Sequence, residues 1–381
     1  MRLILRLNSW RRICFIMASA IVLVAAPAPA REDLRQMQDE MEALGGCKMV
    51  SPAMRENGDD LRLAVTERLV KLAEEFAAQK KALNFVIIAR MGSDTRNLIV
   101  LKDEDERGQS IELKAIAEDL VRRQADDLVW REGHSPSLES YVRATWADNK
   151  RRIEYSHLGF ALPRLPITAR VYDPQSGGFS NQPLEAHWGF VHKLKPCKKR
   201  NSTIFKQGMG MFFADNPHDY GALVMVPNQR VQKRFRQVHD FLVGAKKEDF
   251  FHAAKYNLAA MPFQTLDQNS NQWPLEFLAA TLVDQDILMS WRQSGQMRQR
   301  AQDLLKKLGY RPTRVFLTGF YSMAAFPGIS QLTGGLFDLS QQPYAHQQIV
   351  ELITVLSISE FLQRNHLLDH QFSLRIQPRW K

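Results

Sequence analysis

Two short segments carry the residue types that nucleophilic chemistry needs. Tyr155-Ser156-His157-Leu158-Gly159 puts an imidazole on a run with strand-like alternation. Gln268-Asn269-Ser270-Asn271-Gln272-Trp273 puts a hydroxyl at the opening of an apolar, helix-compatible stretch. A hydroxyl at a helix start has two readings. As an N-cap, Ser270 would accept a hydrogen bond from the amide of residue 273, with Pro274 accommodated in the first turn. As a nucleophile it would profit from the helix dipole, which favours negative charge developing on an attacking oxygen, and His157 would take its proton. The cap is the simpler reading, because it asks for no second residue.

Other chemistries find little footing. The chain contains no G-x-x-x-x-G-K-[ST] loop, no G-x-S-x-G elbow and no H-E-x-x-H pair. Gly208-Met209-Gly210 lacks the third glycine of a dinucleotide fingerprint. The odd spacing of His187 and His192 puts them on opposite faces of a strand, which argues against a shared metal. His366 and His370 have i, i+4 spacing but straddle a helix end. The acidic run at 102–108 reads as a solvated turn. No metal site and no cofactor are expected.

Positioning these segments requires a scaffold of both helices and strands. Asp59–Lys81 reads as an amphipathic helix with Val65, Leu69, Leu72, Ala73 and Phe76 on one stripe, followed by a buried strand at Leu83–Met91. Asn97–Leu101 is a short strand; Leu113, Ile116, Ala117, Leu120 and Val121 form a second helical stripe, and Ser137–Ala147 can form a third helix. A β-rich block follows, in which Ala169–Tyr172 pairs with Glu154–Leu162, 175–181 is a loop and Trp188–Leu194 a strand. Gly221–Val226 is a strand and Gln229–Val243 a helix. Ser270–Leu282 and Gln296–Leu308 are helices, with a strand at Thr313–Leu317. Ile349–Val355, Ser357–Arg364 and Phe372–Ile376 read as strand, helix and strand. The order is α+β, without regular βαβ alternation and without internal repeats.

Composition sets the setting. The 381 residues are ample for a buried core, and 24% charged residues place the chain outside the disordered class. Arg2, Arg6, Arg11 and Arg12, the apolar run Ile13–Ala26 and Ala28-Pro29-Ala30 together read as a secretory signal over 1–30, with an uncleaved anchor as the alternative. No other window reaches the length of a membrane span, so the mature chain is expected to lack a transmembrane helix. Removing 1–30 takes the formal charge from +10 to +6, with 47 basic against 41 acidic residues. The basic clusters (Lys193, Lys195, Lys198, Lys199, Arg200 and the run from Arg230 to Arg236) are spread over several segments, and an exported protein meets little nucleic acid. Solvated charge is the preferred reading and no nucleic-acid partner is expected. Attraction to anionic envelope polymers is a milder option. Of three cysteines, Cys14 leaves with the signal; Cys47 and Cys197 would form one disulfide in an oxidising compartment, or stay as two thiols.

Several segments also carry a resemblance. ARMGSD at 89–94, RIEYSHLGF at 152–160, W-x-x-V-H-K-L-x-x-C at 188–197, YNLAAMPF at 256–263, QNSNQWPLEFLAA at 268–280 and the terminal SISEF…RIQPRW resemble an exported bacterial domain-of-unknown-function family, number twenty-one forty-five. Residues 95–151 look like an insertion, so the expected organisation is a signal at 1–30 and one α+β domain over 31–381 carrying an inserted helical subdomain at 95–151. A His-bearing strand followed by a nucleophile at a helix start is further similar to circularly permuted papain-like amidases and acyltransferases. That likeness implies a permuted papain-like core, a mixed or antiparallel sheet packed on helices, with a cysteine where Ser270 stands here. A cysteine beside an imidazolium becomes a thiolate near neutral pH, whereas a serine depends wholly on its base. The likeness implies His157 and Ser270 as the catalytic pair, His192 or Glu185 as the group orienting His157, and Gln268, Asn269, Asn271 and Trp273 as binding residues, with an oxyanion-hole amide from Gln268 or Asn269. Gln268 and Asn269 also have ordinary readings as turn or cap residues. Two functions follow: a hydrolase or acyl transferase acting on an envelope amide or ester, or a non-catalytic periplasmic protein binding an envelope component or small ligand in the same cleft.

Overall fold

The computed structural model describes residues 51–92, 95, 98–102, 109–130, 152–163, 166–173, 178–185, 188–195, 201–215, 217–244, 251–318 and 338–379. The signal segment, Cys47, Cys197, His187 and the helix expected at 137–147 lie outside the described residues. In chain order, helix α1 spans Pro52–Ala78, strand β1 Val86–Arg90, β2 Leu98–Val100 and α2 Leu113–Trp130. Then come β3 (His157–Pro163), β4 (Pro166–Asp173), β5 (Gly178–Glu185), β6 (Trp188–Leu194), β7 (Thr203–Gly208) and α3 (Met209–Ala214). The remainder is β8 (Gly221–Pro227), α4 (Gln229–Gly244), α5 (Gln272–Ala280), α6 (Gln285–Gln293), α7 (Met297–Lys307), β9 (Thr313–Leu317), β10 (Ile349–Leu352), α8 (Val355–Arg364) and β11 (Leu368–Arg375). No helix among the described residues is long and apolar enough to cross a membrane.

Two antiparallel sheets carry the architecture. The larger has six strands in the order β11-β8-β1-β3-β6-β7, and the smaller is β10-β9-β2. The apolar runs VIIAR and GALVMVP lie side by side at the centre, buried on both faces, as continuous apolar strands must be. Alternation along each strand divides the core in two. Ile87, Ala89, Leu158 and Phe160 face Trp273, Leu275 and Phe277 of α5. Val86, Ile88, Ala161 and Phe190 face α1 and α3 through Leu61, Val65, Leu69, Leu72 and Phe212. Burying each large side chain of the α1 stripe contributes about 1.5–3 kcal/mol. That helix begins earlier than its apolar stripe, because Ser51 accepts a hydrogen bond from the Met54 amide and Pro52 suits the first position. Gly58 sits where a Cβ would lie 2.8 Å from the Gly210 carbonyl, so its absence lets α1 and α3 approach.

The β-rich block departs from the sequence expectation. Ala169–Tyr172 lies within β4, which pairs over eight residues with β5, while β3 is flanked by β1 and β6. The stretch 175–181, read as a loop for its glycines, supplies the start of β5 from Gly178 onward. Pairing with the next strand in sequence closes the shortest loop, and that outweighs the turn-like composition. Within 95–151, β2 is an edge strand of the smaller sheet, paired with β9. Helix α2 packs Ile116, Ala117 and Leu120 against Phe316 and Ile349 of that sheet.

Candidate functional site

His157 opens β3. Its side chain points to the α3 face, with its ring 5.6 Å from that of Phe212, while Leu158 points to the α5 face. His192 on β6 emerges on the same side as His157 and packs against Phe190, Phe205 and Phe212. Gly159 explains how the two imidazoles meet. A Cβ there would lie 2.5 Å from the Val191 carbonyl and 2.7 Å from the His192 Cβ. Without that Cβ, His192 leans across β3 and its Nδ1 lies 2.7 Å from Nε2 of His157, one nitrogen donating to the other. The glycine of Y-S-H-L-G is therefore part of the histidine pair.

The pair is held uncharged. Burial, then the His192 imidazole and the Arg90 guanidinium, push His157 well below the usual histidine range. Burial and Arg90 push His192 down to about 4, with Gln207 and Asp215 acting in the opposite direction. Arg90, opposite His157 across β1 and β3, donates to the Asp215 carboxylate at 2.6 Å and lies 5.0 Å from the centre of the Phe212 ring. Such a neutral imidazole can accept a proton, but desolvation and a nearby cation make it a weak base.

The helix start lies beside β3 and is fixed by its own polar side chains. Asn269 Oδ1 accepts from the Gln272 amide at 2.8 Å, so the capping bond belongs to Asn269 and not to Ser270. The expected bond from Ser270 to residue 273 is replaced because α5 begins at Gln272, two residues after the serine. Asn271 grips β3 in its own plane. Its Oδ1 accepts from the Leu158 amide at 3.1 Å and its Nδ2 donates to the Ser156 carbonyl at 3.0 Å.

Gln268 spends its whole amide on the scaffold. It accepts from Lys193 Nζ at 2.6 Å and the Ala253 amide at 3.0 Å, and donates to the Phe251 carbonyl and Glu276, each at 2.8 Å. Glu276 in turn receives Arg298 through two nitrogens and Gln302 through one. Arg298 and Gln302 also donate to the carbonyls of Gln264, Thr265 and Asp267, clamping the approach to the helix onto α7. Burial pushes the Glu276 carboxyl up, with Arg298 opposing, and pushes the Lys193 ammonium well down. Lys193 is thus an interior residue and leaves the basic surface cluster assigned to it from sequence. Trp273 is core, its ring 5.6 Å from Phe160.

Ser270 lines a cavity of about 110 Å³ between the helix start and the smaller sheet, together with Ile153, Ser156, Val350, Leu352 and Thr354. Its hydroxyl and amide lie beside the Tyr256 phenol, which burial pushes above its ordinary range. Ser270 and His157 are 5% and 6% exposed and share no hydrogen bond among the described residues. The structure therefore joins His157 to His192 and leaves Ser270 with Tyr256. Glu185, the other candidate for orienting His157, lies on β5, which is not a neighbour of β3. His366 follows α8 with φ of 53°, while His370 on β11 packs on Phe76, so no helix face unites them. Among the described residues no group of three or more His, Cys, Asp or Glu could hold a metal. Arg90 and Tyr256 were not singled out as site residues from sequence, although both fall in segments that carried the family resemblance, 89–94 and 256–263.

No curated protein and no solved structure matches the chain. Residues 141–362, more than half of its length and the part that holds β3, β6 and the Ser270 helix start, match the family described as an uncharacterized protein conserved in bacteria (DUF2145), and the chain belongs to that family.

Proposed function

We propose that this chain is an exported, non-catalytic protein that binds a small ligand or envelope component in the cavity beside Ser270, on a permuted papain-like core. The partners of the two groups support this reading: His157 commits Nε2 to His192, while the Ser270 hydroxyl meets the Tyr256 phenol and lines the cavity. A ligand seated there would remove the aliphatic wall from water, worth about 25 cal/mol per Å² of apolar surface. Serine in place of cysteine agrees with a site that no longer needs a thiolate.

The test uses two labels. The native protein should not react with a fluorophosphonate, and Ser270→Cys should be alkylated by iodoacetamide at a rate that His157→Ala leaves unchanged. Fluorophosphonate labelling of Ser270, or an alkylation rate that falls sharply with His157→Ala, overturns the reading. Export is checked by the N-terminus of the secreted protein, expected at Arg31. The Cys47–Cys197 bridge is checked by a mass change of two hydrogens on reduction.

A hydrolase or acyl transferase acting on an envelope amide or ester is the second reading, and a specific geometry favours it. The bond to His192 leaves Nδ1 of His157 unspent, and Asn271 grips the backbone on both sides of His157, so helix start and imidazole share one piece of framework. In that case Nδ1 would take the Ser270 proton as the hydroxyl attacks the carbonyl, with His192 holding the ring in place.

A further inference from the structure

We infer that the cavity beside Ser270 selects an uncharged ligand bearing a short aliphatic group, with one hydrogen-bonding atom directed at the Ser270 hydroxyl. This deepens the binding reading above and rests on it. The walls are aliphatic: Leu98, Ile153, Leu317, Leu339, Val350 and Leu352. No Asp, Glu, Lys, Arg or His is among the described lining residues, and aliphatic walls do not repay the hydration that a charged group gives up.

Most polar groups of the lining are already committed. Asn269 and Asn271 have both ends of their amides bonded to backbone. Thr354 meets Thr313 and the Ser357 amide, Thr95 donates to the Ile153 carbonyl, and Ser156 accepts from the Gly92 amide. These bonds hold the wall and leave little for a guest. The Ser270 hydroxyl meets the Tyr256 phenol and, with one donor and two acceptor sites, keeps room for one further hydrogen bond. Size narrows the class further. About 110 Å³ is less than the ~150 Å³ apolar cavity that admits benzene, which suits a chain of about three to five carbons.

The experiment is a titration of the full mature chain, isotopically labelled at Ile, Leu and Val methyl groups, with butyramide, butyrate, butylamine and octanamide. Butyramide should shift the Val350 and Leu352 methyl signals saturably, and the two charged analogues and octanamide should bind at least about tenfold more weakly. Ala259→Leu, which fills the cavity, should abolish the shifts. Ser270→Ala, a smaller change that keeps the fold if Ala259→Leu does not, should weaken butyramide by up to about tenfold, the worth of one hydrogen bond. Equal binding of butyrate, butylamine or octanamide, or shifts that survive both variants, overturns the ligand class. Absence of any shift overturns it as well. Fluorophosphonate labelling run on the same sample separates the two claims: failure without labelling sinks only the ligand class, and failure with labelling of Ser270 sinks the binding reading too.

Discussion

The two faces of β3 carry two buried polar clusters built on different terms. On the α5 side, Glu276 receives four hydrogen bonds and Gln268 makes four, so the centre of that cluster is satisfied in every direction. What it leaves unpaired at its edge are the acceptors Asp267 Oδ1 and Gln302 Oε1, with the Trp273 Nε1 donor unpaired on the same side of the sheet. On the α3 side, Arg90 Nε is an unpaired donor, and the His192 Nε2 and the Gln207 amide face each other without a well-aligned bond. The first cluster is a clamp that shapes the Ser270 approach. The second is a histidine pair kept neutral by its surroundings.

Breaking the clamp should have the largest effect. Arg298→Met leaves the Glu276 carboxylate buried without its ion partner and should cost about 3–5 kcal/mol in urea unfolding. Adding Glu276→Leu should recover much of that loss, since an apolar pair of similar volume replaces a buried ion pair at little cost. A loss under 1 kcal/mol for Arg298→Met would mean that the clamp is not what holds 264–268.

The histidine side is tested next by sterics. Gly159→Ala forces a Cβ into the Val191 carbonyl and the His192 Cβ, and such overpacking costs about 1–3 kcal/mol. It should also separate the imidazoles, seen as loss of the paired ring-nitrogen signals in NMR. Unchanged signals would show that the pair does not depend on the missing side chain.

Acid should discriminate the clusters as well. A histidine near 6.5 when unfolded but depressed to about 4 when folded binds its proton preferentially in the unfolded state. Stability is then fully present above the unfolded value and falls as pH drops towards about 4. One such group removes about 2 kcal/mol between pH 7 and 5, read by urea midpoints. His192→Phe, which places an aromatic ring among Phe190, Phe205 and Phe212, should flatten that fall. An identical acid profile in the variant would remove His192 from the account.

How much of this was legible in the sequence follows from what each feature depends on. Periodicity along one segment located α1, α2, β1 and β8, because burial of a stripe or a run is decided locally. The same alternation put His157 on one side of its strand, but which helix covers that side depends on the pairing of β3 with β1 and β6, which no single segment encodes. The contact of His157 with His192 was legible only through the papain-like resemblance, which offered His192 or Glu185 as its neighbour. The clamp was not, since Arg298 and Gln302 read as an ordinary polar helix face until α7 is docked on α5. Gly159 was visible as a letter and silent as a cause, because its role lies across the sheet in His192.

The smallest effect concerns a single step in register at the helix start. Asn269 supplies the bond to the Gln272 amide and a second to the Ile353 carbonyl, so Asn269→Ala removes a cap and a tie between α5 and the chain beyond β10. The expected loss is about 1 kcal/mol, typical of a capping residue. Ser270→Ala removes no cap but takes a hydrogen-bonding partner from the Tyr256 phenol, which should cost about 0.5–1 kcal/mol, while altering the cavity that the hydroxyl faces. Thermal or urea unfolding of the two variants side by side reads the difference. If Ser270→Ala proves the more damaging, the hydroxyl is a structural partner of Tyr256 and the cavity wall is held from the serine; if Asn269→Ala is, the serine is free of scaffolding duty and its chemistry belongs to whatever occupies the cavity.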